Sequence, residues 1–351
     1  MAASSTLPPD VTDGIRHILD AAGITADADL IARILATGVG MGRDGADRLD
    51  LKITSAALTE MRAAFELFAP FRGVPKVTVF GSARTAPDSE LYRLTVELTA
   101  ALAARGWMTV TGAGPGIMQA AAEGAGPAHS LGVSIRLPFE EKPNAVIAAH
   151  ARNIAMKYFF TRKLMLVKES SGFVCMPGGF GTLDEMFELL TLQQTGKAVP
   201  TPIVLLDRPG GGFWAGLRRF ADEQLLPEGV ISPDDFDRVV VTDSVDAAVS
   251  EIAGFYRNYT SLRWVGRRLV LRLRAVPTDE EVAALNQRFG GLLVDGAIES
   301  RGPLKAERED DDELDAPRLV MHFTQRRIGE LHHLIRAVNA LASAPSDARP
   351  A

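Results

Sequence analysis

The middle of the chain alternates short, almost continuously apolar runs with longer segments in which apolar residues recur at helical spacing. Short apolar runs bounded by glycine or proline predict buried strands, and the segments between them predict helices. The predicted strands are Val77–Phe80, Trp107–Val110, Val133–Leu137, Phe173–Met176, Ile203–Leu206 and Val239–Val241. The predicted helices cover about 89–105, 151–168, 182–195, 213–226 and 244–256, with an alanine-rich helix that ends near Glu123.

Apolar strands that alternate with helices are typical of a parallel sheet covered on both faces. With right-handed crossovers they form an α/β, doubly wound, Rossmann-like sheet, which we expect over residues 73–260. Ligands of such sheets bind beyond the carboxyl ends of the strands. We therefore expect the functional residues at those strand ends.

The flanking segments follow other patterns. Residues 1–72 predict a helical extension, interrupted by a loop where glycines cluster between 38 and 45. Residues 261–345 predict a small α+β unit with strands near 269–273 and 319–321 and helices over 278–289 and 328–341. The acidic stretch 306–315 predicts a solvated loop.

Charge and composition argue against several classes of protein. The chain of 351 residues has a formal net charge of −6, which argues against a nucleic-acid binder. Its one cysteine, Cys175, lies in an apolar run, so we expect a buried thiol and a reducing compartment. The N-terminal residues lack the pattern of a signal peptide, and no apolar stretch has the length of a membrane span. We expect a cytoplasmic protein.

Three glycine-rich turns follow predicted strands. They begin at Gly81-Ser82, at Gly112-Ala113-Gly114 and at Pro177-Gly178-Gly179-Phe180-Gly181-Thr182. A glycine-rich turn before a helix presents several backbone N–H groups to a phosphate, and the helix dipole favours the negative charge. One such turn by itself is more often only a tight turn. Three at the same edge of one sheet favour a phosphate site.

Other nucleotide and metal sites are disfavoured. Neither of the first two turns has the G-x-G-x-x-G spacing of a dinucleotide fold, and no P-loop motif is present. The histidines show no metal-ligand spacing. We expect no metal and no cofactor.

Glu185 has two interpretations. Thr182 and Glu185 have the spacing of a capping box, in which Thr182 caps the helix and Glu185 reaches back to it. Alternatively, Glu185 projects into the phosphate site and orients water or binds ribose. Upstream, Arg162-Lys163 are adjacent cations in a strongly apolar helix, where an anionic ligand would explain them better than solvation alone.

These residues together resemble the LOG family, the cytokinin riboside 5′-monophosphate phosphoribohydrolases. The family signature pairs Arg-Lys with a downstream P-G-G-x-G-T-x-x-E, as in residues 162–163 and 177–185 here. The segments VFGSART, TGAGPGIMQAA and LPFEEKPN are also similar to family segments. The resemblance covers about 75–260, and the segment FYRNYTSLRWVGRRLVLRLR is similar to a longer bacterial branch.

The resemblance implies hydrolysis of the N-glycosidic bond of AMP or an N6-modified AMP, giving a free base and ribose 5-phosphate. Arg162 and Glu185 would be the catalytic pair, with Arg162 stabilising charge because it is too basic to act as an acid. The substrate- and phosphate-binding residues would be Gly81, Ser82, Gly112, Gly114, Glu141, Lys163, Gly178, Gly179, Gly181, Thr182 and Thr191.

The resemblance also implies a homodimer or larger homo-oligomer, packed through the apolar helix around Tyr158-Phe159-Phe160. Relatives have carried the name lysine decarboxylase, but no pyridoxal phosphate site can be argued from these residues. The alternative function is a non-enzymatic carrier of a nucleotide or phosphorylated cofactor, since molybdenum-cofactor carriers have similar turns. No nucleic-acid or membrane partner is expected.

Overall fold

The computed structural model describes residues 7–136, 143–150, 152–324 and 329–346. The chain divides into two compact units, Met1–Arg62 and Ala63–Ala351. The strands are β1 Lys76–Phe80, β2 Met108–Thr111, β3 Ser130–Ile135, β4 Asn153–Met156, β5 Gly172–Cys175, β6 Ile203–Leu206, β7 Val239–Thr242, β8 Tyr259–Val265, β9 Arg268–Leu273, β10 Leu293–Ser300 and β11 Arg318–Phe323. The helices are α1 Pro9–Ala21, α2 Ala28–Arg43, α3 Arg48–Phe68, α4 Glu90–Ala103, α5 Ile117–Ala125, α6 Ala145–Ala148, α7 Phe159–Lys168, α8 Phe180–Gln194, α9 Phe213–Phe220, α10 Val245–Gly254, α11 Asp279–Phe289, α12 Lys305–Glu309 and α13 Glu330–Asn339.

The first unit is helical, as predicted. It contains α1, α2 and most of α3, and α1 packs against α2 with Ile15 and Leu19 buried. The predicted glycine loop is wrong, because α2 continues through Gly38, Gly40 and Gly42 to Arg43. Glycine costs a helix only about 1 kcal/mol per residue, which packing can outweigh. The helix ends just before Gly45, whose φ is +73°.

A seven-stranded parallel sheet forms the centre of the second unit. Its strand order is β4-β3-β2-β1-β5-β6-β7, and every neighbouring pair is parallel. The predicted α/β class and doubly wound parallel sheet are confirmed. The order reverses between β1 and β5, where ligands bind in sheets of this kind.

One strand of this sheet was not predicted. The helix expected over 151–168 is wrong in its first half, where β4 pairs with β3 from Asn153 to Met156 and α7 begins only at Phe159. The short Asn-Ile-Ala-Met run has no strong strand signal of its own. Its extended form depends on backbone hydrogen bonds at the edge of the sheet.

A smaller antiparallel sheet follows, in the order β10-β11-β9-β8. The predicted N-cap of α11 is present as a complete capping box between Thr278 and Glu281. One hydrophobic core contains residues of both sheets, including Val204 of β6 and Leu271 of β9. The proposed domain limits at 72 and 260 remain a prediction.

The acidic segment 306–315 is exposed at most of its positions, as its charges predict, but it is not entirely a loop. It contains the end of α12, and the Glu307 side chain is fully buried. One carboxylate oxygen of Glu307 accepts hydrogen bonds from Arg318 at 2.6 Å and from Arg272 at 3.0 Å. Burial of a carboxylate is possible here because two guanidinium groups balance its charge.

Candidate active site

Three turns at the carboxyl ends of β1, β2 and β5 pack directly against one another. The backbone N–H of Ile117 donates to the Ser82 carbonyl at 3.0 Å. A Cβ atom on Gly116, whose φ is +65°, would lie 2.4 Å from that same oxygen. A Cβ on Gly178 would lie 2.2 Å from the Thr182 hydroxyl and 3.1 Å from the Ser82 nitrogen. Glycine at these positions is therefore required for the turns to meet.

The turns border a cavity of about 740 Å³. Its lining contains both predicted catalytic side chains and most of the predicted binding residues. Those in the lining are Gly81, Ser82, Gly112, Arg162, Gly178, Gly179, Gly181, Thr182 and Glu185. The fold thus brings most of the predicted residues together at this edge of the sheet.

The helix that leaves the third turn begins earlier than predicted. Its first residue is Phe180 and its N-cap is Gly179, whose carbonyl accepts the N–H groups of Thr182 and Leu183 at 3.0 and 3.1 Å. The capping-box interpretation is therefore wrong, because Thr182 lies within the helix. An added Cβ on Gly179 or Gly181 would meet no atom within 4 Å, so the space beside these backbone groups is open.

Glu185 is a buried carboxylate without a complete set of partners. It is 7% exposed, and its Oε2 has no hydrogen-bond partner among the described residues. Burial raises the pKa of Glu185, and the nearby charges of Lys163 and Arg162 oppose this shift. A buried polar atom in this state is costly unless water or a ligand satisfies it.

Arg162 enters the cavity from α7. Its Nε donates to the Val133 carbonyl at 2.9 Å, which fixes the side chain against β3. Its Nη2 lies where a Cβ on Gly112 would be, at 2.0 Å, so the guanidinium rests on a glycine backbone. Burial lowers the pKa of Arg162, and the charge of Glu185 opposes that shift.

Lys163 binds the acidic side of α8 and does not line the cavity. Its Nζ lies 2.8 Å from Asp184 Oδ2 and 3.5 Å from Glu188 Oε2. Burial by itself would lower the pKa of Lys163, but the hydrogen bond to Asp184 and the charge of Glu185 raise it above its usual value. The Arg-Lys pair is thus divided between the cavity and the flank of α8.

Three other predicted residues fall elsewhere. Gly114 does not line the cavity, and its carbonyl accepts a hydrogen bond from Asn144. Thr191 is exposed near the end of α8, donates to the Phe187 carbonyl and borders a different cavity. Glu141 lies outside the described residues.

The cavity also has walls that the motifs did not identify. Arg84, Met118, Phe159 and Phe180 line it, together with Phe213 from the start of α9. Arg84 and Phe180 lie in the first and third glycine turns, beside the residues that the motifs identify. Phe213 is the first residue of α9, a helix that carries no motif, so its place in the cavity depends on the fold.

Cys175 is buried, as predicted, and burial raises its pKa. Within the described part of the chain, no three His, Cys, Asp or Glu side chains are grouped as metal ligands. No described helix combines the length and apolar character needed to cross a bilayer.

Known proteins resemble this chain over its central part. The family model described as "Possible lysine decarboxylase" matches residues 116–252. A cytokinin riboside 5′-monophosphate phosphoribohydrolase of Mycobacterium tuberculosis is 34% identical over 171 residues, which are 47% of this chain and 87% of that protein. The protein of the same name from Mycobacterium marinum is 32% identical over 47% of this chain and 86% of its own length. Among solved structures, the molybdenum cofactor binding protein of Rippkaea orientalis is 21% identical over 50% of this chain and 94% of that one, with a TM-score of 0.37.

Proposed function

The chain belongs to the family of cytokinin riboside 5′-monophosphate phosphoribohydrolases, and from this premise we propose how its cavity acts. It hydrolyses the N-glycosidic bond of a nucleoside 5′-monophosphate, AMP or an N6-modified AMP. The bond between C1′ and the base nitrogen breaks. Water supplies the hydroxyl to C1′ and a proton to the base, so the products are a free base and ribose 5-phosphate.

The 5′-phosphate binds at the start of α8. The first N–H groups of a helix have no intrahelical acceptor, and the dipole of α8 favours an anion at this end. The glycines at 179 and 181 leave this region open, and the Thr182 hydroxyl is within the same lining. The phosphate thereby fixes the ribose beside the first turn of α8.

Glu185 acts on the reacting sugar. Glycosidic cleavage passes through an oxocarbenium-like transition state, which a carboxylate stabilises electrostatically. The observation that carries this proposal is the buried, unpaired Oε2 of Glu185 in the same cavity as Arg162 and the glycine turn. Arg162 positions the substrate and stabilises developing negative charge, because its guanidinium is already held against β3.

A panel of substrates tests this function. Full-length protein is incubated with AMP, with other nucleoside 5′-monophosphates and with adenosine, and released base is measured by chromatography. We expect cleavage of AMP and little cleavage of adenosine, since adenosine cannot use the phosphate site. Equal cleavage of both would contradict the phosphate assignment.

If no nucleoside monophosphate in the panel is cleaved, the hydrolase proposal fails. The carrier function is then tested by mass spectrometry of any ligand that co-purifies with the native protein. A phosphorylated compound held without turnover would support the carrier.

We also propose that the protein forms a homodimer or larger homo-oligomer in the cytoplasm. Apolar side chains of α7 support this: Phe159, Phe160 and Leu164 are 61%, 55% and 47% exposed. Clustered exposure of large apolar residues is typical of interaction sites. The single buried cysteine is consistent with a reducing compartment.

A further inference from the structure

A second cavity lies at the opposite end of the strands, where β1 and β5 begin. Its volume is about 500 Å³. Phe65 and Phe68 at the end of α3 form part of its wall, with Lys76 at the start of β1 and residues 168–171 after α7. It shares no lining residue with the proposed catalytic cavity.

The charged groups of this cavity are unbalanced. Arg72, Lys76 and Lys168 line it, and Glu169 is the one carboxylate in the lining. That carboxylate is already bound to Lys168, at 2.6 Å. The lining therefore carries a surplus of two positive charges.

Lys76 is the unusual member of the set. It is only 3% exposed, yet its Nζ donates to a single neutral acceptor, the Val74 carbonyl at 3.1 Å. Among the described residues, no carboxylate lies within ion-pair distance of this ammonium group. Burial lowers the pKa of Lys76, and the more distant charge of Glu169 only partly opposes it.

A buried ammonium group has three donors and is costly to leave without a counter-charge. An anion in the cavity would supply both the charge and the missing acceptors. Arg72 is exposed at the same cavity and offers a planar fork suited to phosphate oxygens.

We propose that this cavity is a second anion-binding site, separate from the catalytic cavity, which takes a small phosphorylated molecule through Lys76, Arg72 and Lys168. Three elements that border this cavity also carry, or lead to, residues of the catalytic cavity. From this cavity, β1 leads to the turn at Gly81, β5 leads to the turn at Gly178, and α7 carries Arg162.

The test uses inorganic pyrophosphate and the full chain in a calorimetric titration. We expect Arg72→Gln and Lys76→Met to weaken a saturable binding component by roughly tenfold or more, as expected for loss of a charge-assisted hydrogen bond. The component should also weaken as ionic strength rises. The matched control is Arg105→Gln, an exposed arginine after α4 that bonds the Ala101 carbonyl and lies outside both cavities.

Titrations of Arg72→Gln and Lys76→Met that match wild type would overturn the proposal, because all pyrophosphate would then bind elsewhere. If Lys76→Met does not fold, as judged by circular dichroism, the exposed Arg72 variant decides the question. The titration measures no turnover. Its result is therefore independent of whether the protein hydrolyses nucleotides.

Discussion

Glu185 lies in surroundings that disfavour its charge. Because α8 begins at Phe180, Glu185 cannot cap the helix, and its Oε2 lies buried without a partner among the described residues. Functional sites commonly contain such groups at a cost in stability. Burial also disfavours the charged form of Arg162, because it lowers the pKa of the guanidinium.

The raised pKa of Glu185 predicts how stability depends on pH. The folded protein holds the Glu185 proton more tightly than the unfolded chain does. The protonated Glu185 side chain therefore adds to the free energy of unfolding. This stabilisation is fully present below the unfolded pKa and is lost as pH rises through the folded pKa. Glu185→Gln should therefore raise Tm above that of wild type at pH 7–8.

The gain should shrink as the pH falls toward the unfolded pKa, about 4.3. Differential scanning calorimetry of wild type and Glu185→Gln over this range measures it. Glu188→Gln is the control, because Glu188 lies one turn further along α8 with its side chain 42% exposed. A lower Tm for Glu185→Gln than for wild type at pH 7 would show that the carboxylate stabilises the fold.

Gly112 positions Arg162. A Cβ in Gly112→Ala would lie 2.0 Å from Arg162 Nη2, so the guanidinium must move and its bond to Val133 must weaken. We expect kcat/KM for AMP to fall by roughly tenfold to a hundredfold, as small displacements of catalytic groups do. Steady-state kinetics measure the loss. In the control, Gly114→Ala, the nearest atom is the flexible Met118 methyl, so equal losses in both variants would contradict the role of Gly112.

At the scale of elements, local signals predicted the strands and turns that hold the site. Arg162 and Glu185 each lie in a short continuous motif. The fold of the parallel sheet then brings the two side chains into one cavity. Tertiary packing decided the rest: β4 forms through pairing with β3, and α2 continues through its glycines. Phe213 joins the cavity from the start of α9, where no motif marks it as a site residue.

The buried ion cluster of the second sheet gives a prediction for α12. Glu307→Gln leaves Arg272 and Arg318 without their shared negative charge, which should lower the free energy of unfolding by about 3 kcal/mol. Chemical denaturation measures this loss. Glu309→Gln, an exposed change on the same helix, should stay within about 0.5 kcal/mol of wild type. Equal free energies of unfolding for the two variants would mean that the ion cluster does not stabilise the fold.

At the scale of the whole molecule, the site lies at one end of the central sheet and the second cavity at the other. The two sheets share a hydrophobic core, which the separate patterns of 73–260 and 261–345 did not predict. Patterning along a chain reports which faces are apolar but not which element covers them. The exposed aromatic residues of α7 are another such face.

Self-association through α7 is tested by Phe160→Ser. Phe160 is 55% exposed and stacks on Tyr158 with ring centroids 5.6 Å apart. We expect light scattering to give the mass of a dimer or larger assembly for wild type and a smaller mass for the variant at equal concentration. A monomeric wild-type protein would contradict the oligomer.

The proposed role of Glu185 is in the hydrolysis of nucleoside monophosphates in this cavity. Its most direct test is a time course of adenine and ribose 5-phosphate released from AMP by wild type, Glu185→Gln and the control Glu188→Gln. We predict equal amounts of both products from wild type and Glu188→Gln. Glu185→Gln should bind AMP but turn it over at least about a hundredfold more slowly. Release of adenine by Glu185→Gln at the wild-type rate would contradict this role, and recovery of intact AMP from wild type would contradict the hydrolase function.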